Sequence, residues 1–268
     1  MATNTKLDSS PDKSFTLSFT VTAAEITSEK ELILKHIAIN FENKGFRKGK
    51  APISVVESQT SPEKLLEEII NSLLPKIYSQ AITEHQLKPA TSPTIKIKNP
   101  PFALNKDWEI ELSGAQIPDI SIDPQFFTEI KTINQNKDQD LNKKTDEILK
   151  KLIGFSKVTL AKQIIDNDLN RKLADLVDQT QAAGITVDSY LKNRNQRLED
   201  YKIEMAQRIS EDWTLNLAIS QIATDQNIVP LPAETENLVK KNPKLGSNPS
   251  LVSYLLTQQK VIDFLLTQ

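Results

Sequence analysis

The 268-residue chain carries 33 Lys and Arg against 35 Asp and Glu, a net charge of −2, with 38% hydrophobic and 25% charged residues. That balance excludes a chain-wide basic field for nucleic acid, and it is too apolar for a disordered chain yet lean for a compact globule. There is no cysteine, which excludes disulfides and thiolate metal sites, and His36 and His85 lie far apart in sequence, which argues against a zinc site built on them.

The polar start, Met1 to Pro11, has no apolar stretch of the kind a signal peptide needs. No apolar run approaches the roughly eighteen residues of a membrane span. A cytoplasmic protein that does not enter the membrane is expected. Only six glycines occur among abundant Asn, Gln and Lys, which suggests a mostly helical, extended chain.

Phe15, Leu17, Phe19 and Val21 alternate with polar residues, the pattern of a half-buried antiparallel strand. Thr22-Ala-Ala-Glu25 has the form of a capping box, so a helix should follow with Ile26, Ile33 and Ile37 on one face. The chain then turns through Asn43-Lys44-Gly45. Ser61-Pro62 is a helix start, an N-cap followed by proline at the first helical position. Leu65, Leu66, Ile69, Ile70, Leu73, Leu74 and Ile77 continue it at three-four spacing, and Pro75 is expected to bend or split it. Thr94–Lys98 and Asp107–Ile117 read as strands. Residues 1–117 should therefore form an α+β unit of three strands and about three helices.

Pro118, Pro124 and the polar run Asn134–Asp140 mark residues 118–140 as a linker or extended segment. Residues 141–268 read as an elongated helical domain. Ile148, Leu149, Leu152 and Ile153 share a face. Leu160 to Val177 make a long amphipathic helix that ends near Gly184, and Thr186 caps the short stretch after it. Leu198 to Leu217 make a further helix, broken by Pro230 and Pro232. Asn248-Pro249 starts the last one. The fold class is α+β, a small N-terminal α+β domain followed by helices.

Catalytic motifs are scarce. A phosphate loop needs a glycine five residues before Gly49 and a hydroxyl residue after Lys50; Lys44 and Ala51 stand there instead. No nucleotide, metal or other cofactor is expected, and no catalytic residue is assigned.

Lys44, Arg47, Lys48 and Lys50 place four cations in seven residues, with no acid among them. Taken alone, such a cluster is most simply a solvated turn between a strand and a helix. Phe46 between Gly45 and Gly49 argues against that, because a phenylalanine at a loop tip is a solubility liability unless a partner covers it. Arg makes bidentate contacts to phosphate or carboxylate, Lys adds a point charge, and Phe fills a pocket.

Gly45-Phe46-Arg47-Lys48-Gly49-Lys50-Ala51-Pro52 resembles the signature of trigger factor, the bacterial ribosome-associated chaperone. The resemblance covers residues 13–117 and resumes from 141 to 268, where Gly184-Ile185 and Tyr190-Leu191 are similar to a Gly-Ile-x-x-x-x-Tyr-Leu stretch of the family. It implies that Phe46, Arg47 and Lys48, supported by Lys44, Gly45, Gly49 and Lys50, dock on the large ribosomal subunit at the tunnel exit, on protein and ribosomal RNA. It also implies helical arms that shelter nascent or unfolded polypeptides without ATP, and a homodimer off the ribosome. Leu215, Ile219, Leu231, Val252, Tyr254 and Leu256 are the candidate client contacts, set against the plainer reading that such residues are bundle core.

Family members usually carry an FKBP-like prolyl isomerase domain between the two matching regions. Residues 118–140 are too few to fold as one, so the isomerase is expected to be absent and the chain not to be an enzyme. A residual prolyl isomerase, or a helical adapter that uses the loop for another partner, are the alternatives.

Overall fold

A computed structural model describes residues 5–43, 45–136, 140–243, 245 and 248–268. The chain divides into two compact units, Met1–Ile117 and Pro118–Gln268.

The first unit holds β1 (Lys6–Ser9), β2 (Ser14–Val21), α1 (Ala23–Asn40), α2 (Ile53–Gln59), α3 (Pro62–Glu84), β3 (Thr94–Ile97) and β4 (Trp108–Ala115). The strands form one antiparallel sheet in the order β1-β2-β4-β3. The alternation seen in the sequence sorts its faces. Phe15, Leu17, Phe19 and Val21 are buried with Trp108, Ile110 and Leu112 of β4, and Ile26 and Leu34 of α1 and Leu65 and Ile69 of α3 complete the core. Thr22 and Glu25 close the capping box: the Thr22 hydroxyl accepts from the Glu25 N–H at 3.3 Å, and the Glu25 carboxylate accepts from the Thr22 N–H at 3.0 Å. Ser61 caps α3 as expected, but α3 runs unbroken through Pro75. The unit has one strand more than expected: β1, which pairs Leu7 with Leu17 on the outer side of β2.

The second unit begins at once. Residues 118–140, expected as a linker, contribute β5 (Ile120–Ile122) and α4 (Gln125–Gln135). Phe126, Ile130 and Ile133 of α4 face one core at i, i+4 and i+7 and are buried there with Ile148 and Leu152. Asn134 donates to the Leu265 carbonyl at 2.8 Å and ties α4 to the last helix. These residues fold as a helix because Pro124 sits ahead of α4 rather than inside it, where its ring is harmless. Residues 137–139 of the expected linker lie outside the described residues.

The unit continues with α5 (Leu141–Gly154), β6 (Ser156–Val158), α6 (Lys162–Ala182), α7 (Val187–Asn193), α8 (Leu198–Asp225), α9 (Pro232–Lys241) and α10 (Pro249–Leu266). β6 pairs antiparallel with β5, Ile120 opposite Val158. The 28-residue α8 serves two clusters. Its C-terminal half buries Ala218, Ile219 and Ile222 against α4, α5 and α10. Its N-terminal half packs Tyr201 against Leu176 and Leu191. Trp213 donates to Asp168 at 2.8 Å and joins α8 to α6. Among the described residues, no helix is long and apolar enough to cross a membrane, and no three His, Asp or Glu side chains gather as a metal site would require.

Candidate docking loop and client surface

The basic loop joins two helices, α1 and α2, rather than a strand and a helix. Helix α1 stops at Phe41, whose backbone is extended (φ −71°, ψ 128°) and whose side chain packs on the first core. The chain then makes two successive turns. Phe46 N–H donates to the Asn43 carbonyl at 3.1 Å, with Gly45 at φ +103° between them. Lys50 N–H donates to the Arg47 carbonyl at 2.9 Å, with Gly49 at φ +72°. Both glycines occupy backbone that other residues adopt at a cost, so each turn selects its glycine.

The base of the loop is closed by the Gly49 N–H, which donates to the Phe41 carbonyl at 3.2 Å. Ala51 is buried, and Pro52 leads into α2. Between these anchors residues 45–50 are exposed, Phe46 at 41%. Lys48 stands 3.8 Å from Glu42, an exposed ion pair of little energetic weight. The structure thus brings Gly45, Phe46, Arg47, Lys48, Gly49 and Lys50 together on one exposed loop; Lys44 lies outside the described residues. An exposed aromatic residue followed in sequence by Arg47 and Lys48 on a short tethered loop suits an anionic surface that also offers an apolar pocket.

The candidate client residues of the second unit divide. Ile219 and Val252 are core, 4% and 0% exposed, and offer nothing to a partner. They break a single helical stripe because α8 and α10 each face more than one neighbour. Leu215 packs against the same core, and Leu256 is half-buried. Leu231 and Tyr254 are exposed at 60% and 43%, with the Tyr254 hydroxyl 2.7 Å from Asn216 Oδ1.

Sequence reasoning passed over Val229, at 70% the most exposed of the large apolar side chains described, and the pair Leu251 and Leu255. The signals were present. Prolines 230 and 232 keep Val229 and Leu231 out of any helix, and Leu251, Tyr254 and Leu255 share one outward face of α10 at i, i+3 and i+4.

Comparison with known proteins agrees along the chain. A family model described as bacterial trigger factor protein (TF) matches residues 3–152. A second, described as bacterial trigger factor protein (TF) C-terminus, matches residues 128–267. The trigger factor of Staphylococcus carnosus is 29% identical over 182 residues, 65% of this chain and 39% of the relative. That of Natranaerobius thermophilus is 33% identical over 99 residues, 35% of this chain and 22% of the relative. That of Corynebacterium kroppenstedtii is 41% identical over 73 residues, 27% of this chain and 15% of the relative. The chain therefore spans well under half the length of these curated relatives. A solved structure from "Promiscuous Substrate Recognition in Folding and Assembly Activities of the Trigger Factor Chaperone" superposes with a TM-score of 0.66 at 11% identity, over 99% of both chains. At that identity the likeness is one of fold.

Proposed function

We propose, from the premise that this chain belongs to the bacterial trigger factor family, that it is an ATP-independent, cytoplasmic chaperone that docks on ribosomes and holds nascent or unfolded polypeptides. The observation that carries the reading is the exposed loop, with Phe46, Arg47 and Lys48 held between two glycines at positive φ. The docking surface is the large subunit at the tunnel exit, where the cations meet ribosomal RNA phosphate or protein carboxylate and Phe46 enters an apolar pocket. Self-association as a homodimer off the ribosome belongs to the same reading and is checked by sedimentation velocity.

Holding rests on exposed apolar side chains of the second unit: Val229, Leu231, Leu251, Tyr254 and Leu255. Each buries a modest area, at roughly 25 cal/mol per Å², so single contacts are weak. Docking beside an emerging chain raises the effective concentration and makes weak contacts sufficient.

The same reading has no prolyl isomerase. Its support is that β5 and α4 occupy the stretch where family members usually carry the inserted domain, with Phe126 fully buried. The purified chain should suppress aggregation of an unfolded client without ATP, pellet with ribosomes, and leave a proline-limited refolding rate at background. Catalysed refolding removes the last claim. Aggregation suppression without ribosome pelleting favours an adapter or free holdase over a docked chaperone.

A further inference from the structure

We infer that Lys260 is a positioning residue of the client surface: with Glu234 it clamps residues 229–231, so that Val229 and Leu231 are presented to unfolded chains without the segment having to order on binding. The inference rests on the reading of Val229 and Leu231 as client contacts and adds the residues that hold them in place.

The segment between α8 and α9 is built to stay extended. Helix α8 ends at Asp225, Asn227 takes a left-handed φ of +52°, and Ile228 packs on the second unit's core. Pro230 and Pro232 push the residues before them, Val229 and Leu231, toward extended backbone, and Leu231 has φ −78° and ψ 148°. Upstream, then, Ile228 is an apolar anchor. Downstream there is none of that strength: α9 buries none of its side chains, and Leu238 and Val239 are only half-buried.

A polar clamp stands where that anchor is missing. The Lys260 ammonium of α10 lies 2.7 Å from the Glu234 carboxylate and donates to the Val229 carbonyl at 3.4 Å. Glu234 accepts in turn from the Leu231 N–H at 2.6 Å. One ammonium thus ties the main chain before Pro230 directly and the main chain after it through Glu234. Hydrogen bonds from Lys260 and the Leu231 N–H hold the Glu234 carboxyl below its usual value, so the pair stays ionised near neutral pH. With both flanks tied through their backbone, the side chains of Val229 and Leu231 are left to solvent, exposed at 70% and 60%.

Such preorganisation matters most where contacts are weak. A free loop loses conformational entropy each time it binds, and that loss offsets much of what two apolar contacts return. A loop already held makes the same contacts at less cost. The clamp itself adds little to folding stability, because Lys260 and Glu234 are both partly exposed. Its effect therefore falls on client binding.

The experiment measures binding of fluorescein-labelled, reduced and carboxymethylated lysozyme, a permanently unfolded chain, to the full protein by fluorescence anisotropy. Lys260→Met keeps the aliphatic stem and loses the ammonium, whereas Glu234→Gln keeps an acceptor for the Leu231 N–H and loses the charge. Each should weaken binding about threefold with a melting temperature within about 2 °C of the parent, and Lys260→Arg should bind as the parent does. The two weakening variants shift the net charge in opposite directions. Effects of opposite sign would therefore show direct attraction between Lys260 and the client and overturn the clamp. In a Val229→Ser/Leu231→Ser background, Lys260→Met should have no further effect, and an undiminished loss there overturns the clamp as well. If Lys260→Met binds as the parent does while Val229→Ser/Leu231→Ser binds weakly, the clamp is wrong and the client surface stands. If that double variant also binds as the parent does, the client reading of this segment falls and the clamp falls with it.

Discussion

Gly49 lies against the carbonyl of Ile39, so close that a β-carbon would stand 2.9 Å from the oxygen, and its φ is +72°. Gly45, at φ +103°, has open space where its β-carbon would be. The two glycines of one loop therefore answer different constraints, one conformational and one both conformational and steric.

Gly49→Ala should therefore cost more than Gly45→Ala. The left-handed backbone costs about 1 kcal/mol at either position, and the contact with the backbone of α1 adds to it only at Gly49. Thermal unfolding should rank parent, Gly45→Ala, Gly49→Ala from most to least stable. Ribosome binding should be weaker in Gly49→Ala, because displacement of the loop's base moves Phe46. Equal melting temperatures for the two variants would contradict the steric term.

Glu29, buried on α1, accepts from Lys76 at 2.7 Å and from the Ser72 hydroxyl, both on α3. Burial alone would raise its pKa; the hydrogen bonds from Lys76 and Ser72 outweigh that, and the carboxyl sits below its usual value. A carboxyl depressed in the folded state stabilises above the ordinary carboxylate range and loses that contribution as pH falls through the folded pKa. Glu29→Gln should cost about 1–2 kcal/mol at pH 7, and the difference from the parent should shrink as the pH drops below about 4. A difference that persists unchanged at low pH would show that charge is not what holds α1 to α3.

Phe126 is fully buried, edge-on to Phe127 at 5.2 Å and tilted against Phe155 at 6.5 Å. Phe126→Ala should destabilise the second unit by about 3–5 kcal/mol, as loss of a core aromatic does. Differential scanning calorimetry should show the loss in the second unit and leave the first near its parental value. A neutral substitution would return residues 118–140 to the status of a linker.

The client surface separates by the same measure. Leu231→Ser and Tyr254→Ser should lower aggregation suppression while leaving the melting temperature within about 2 °C, because both side chains are exposed. Ile219→Ala should do the reverse, with about 2–5 kcal/mol lost to a cavity and holding preserved wherever the chain stays folded.

Legibility in the sequence followed how local the cause was. The Thr22–Glu25 capping box, the Ser61-Pro62 helix start and the alternation from Phe15 to Val21 depend on neighbours in the chain, and each appears where it was read. β1 escaped because Lys6-Leu7-Asp8-Ser9 holds one apolar residue and becomes a strand only by pairing with β2. β5 and β6 are three residues each, joined across a long sequence separation. α4 is a different failure: Phe126, Ile130 and Ile133 carried the helical period, but Pro118, Pro124 and the following polar run outweighed it. At the loop, residue types and glycine positions announced a partner, while the packing of Gly49 on Ile39 required coordinates. Ile219 and Val252 were misplaced because a helix with several neighbours has no single core stripe.

The central claim is that the tip formed by Phe46, Arg47 and Lys48 places this chain on ribosomes. Equilibrium co-sedimentation of the full chain with purified ribosomes tests it, with the parent beside Phe46→Ala/Arg47→Ala/Lys48→Ala at low and physiological salt. The parent should bind, more tightly at low salt, and the triple variant should lose at least tenfold in affinity with an unaltered melting temperature. A folded triple variant that pellets with ribosomes as well as the parent does would contradict the account.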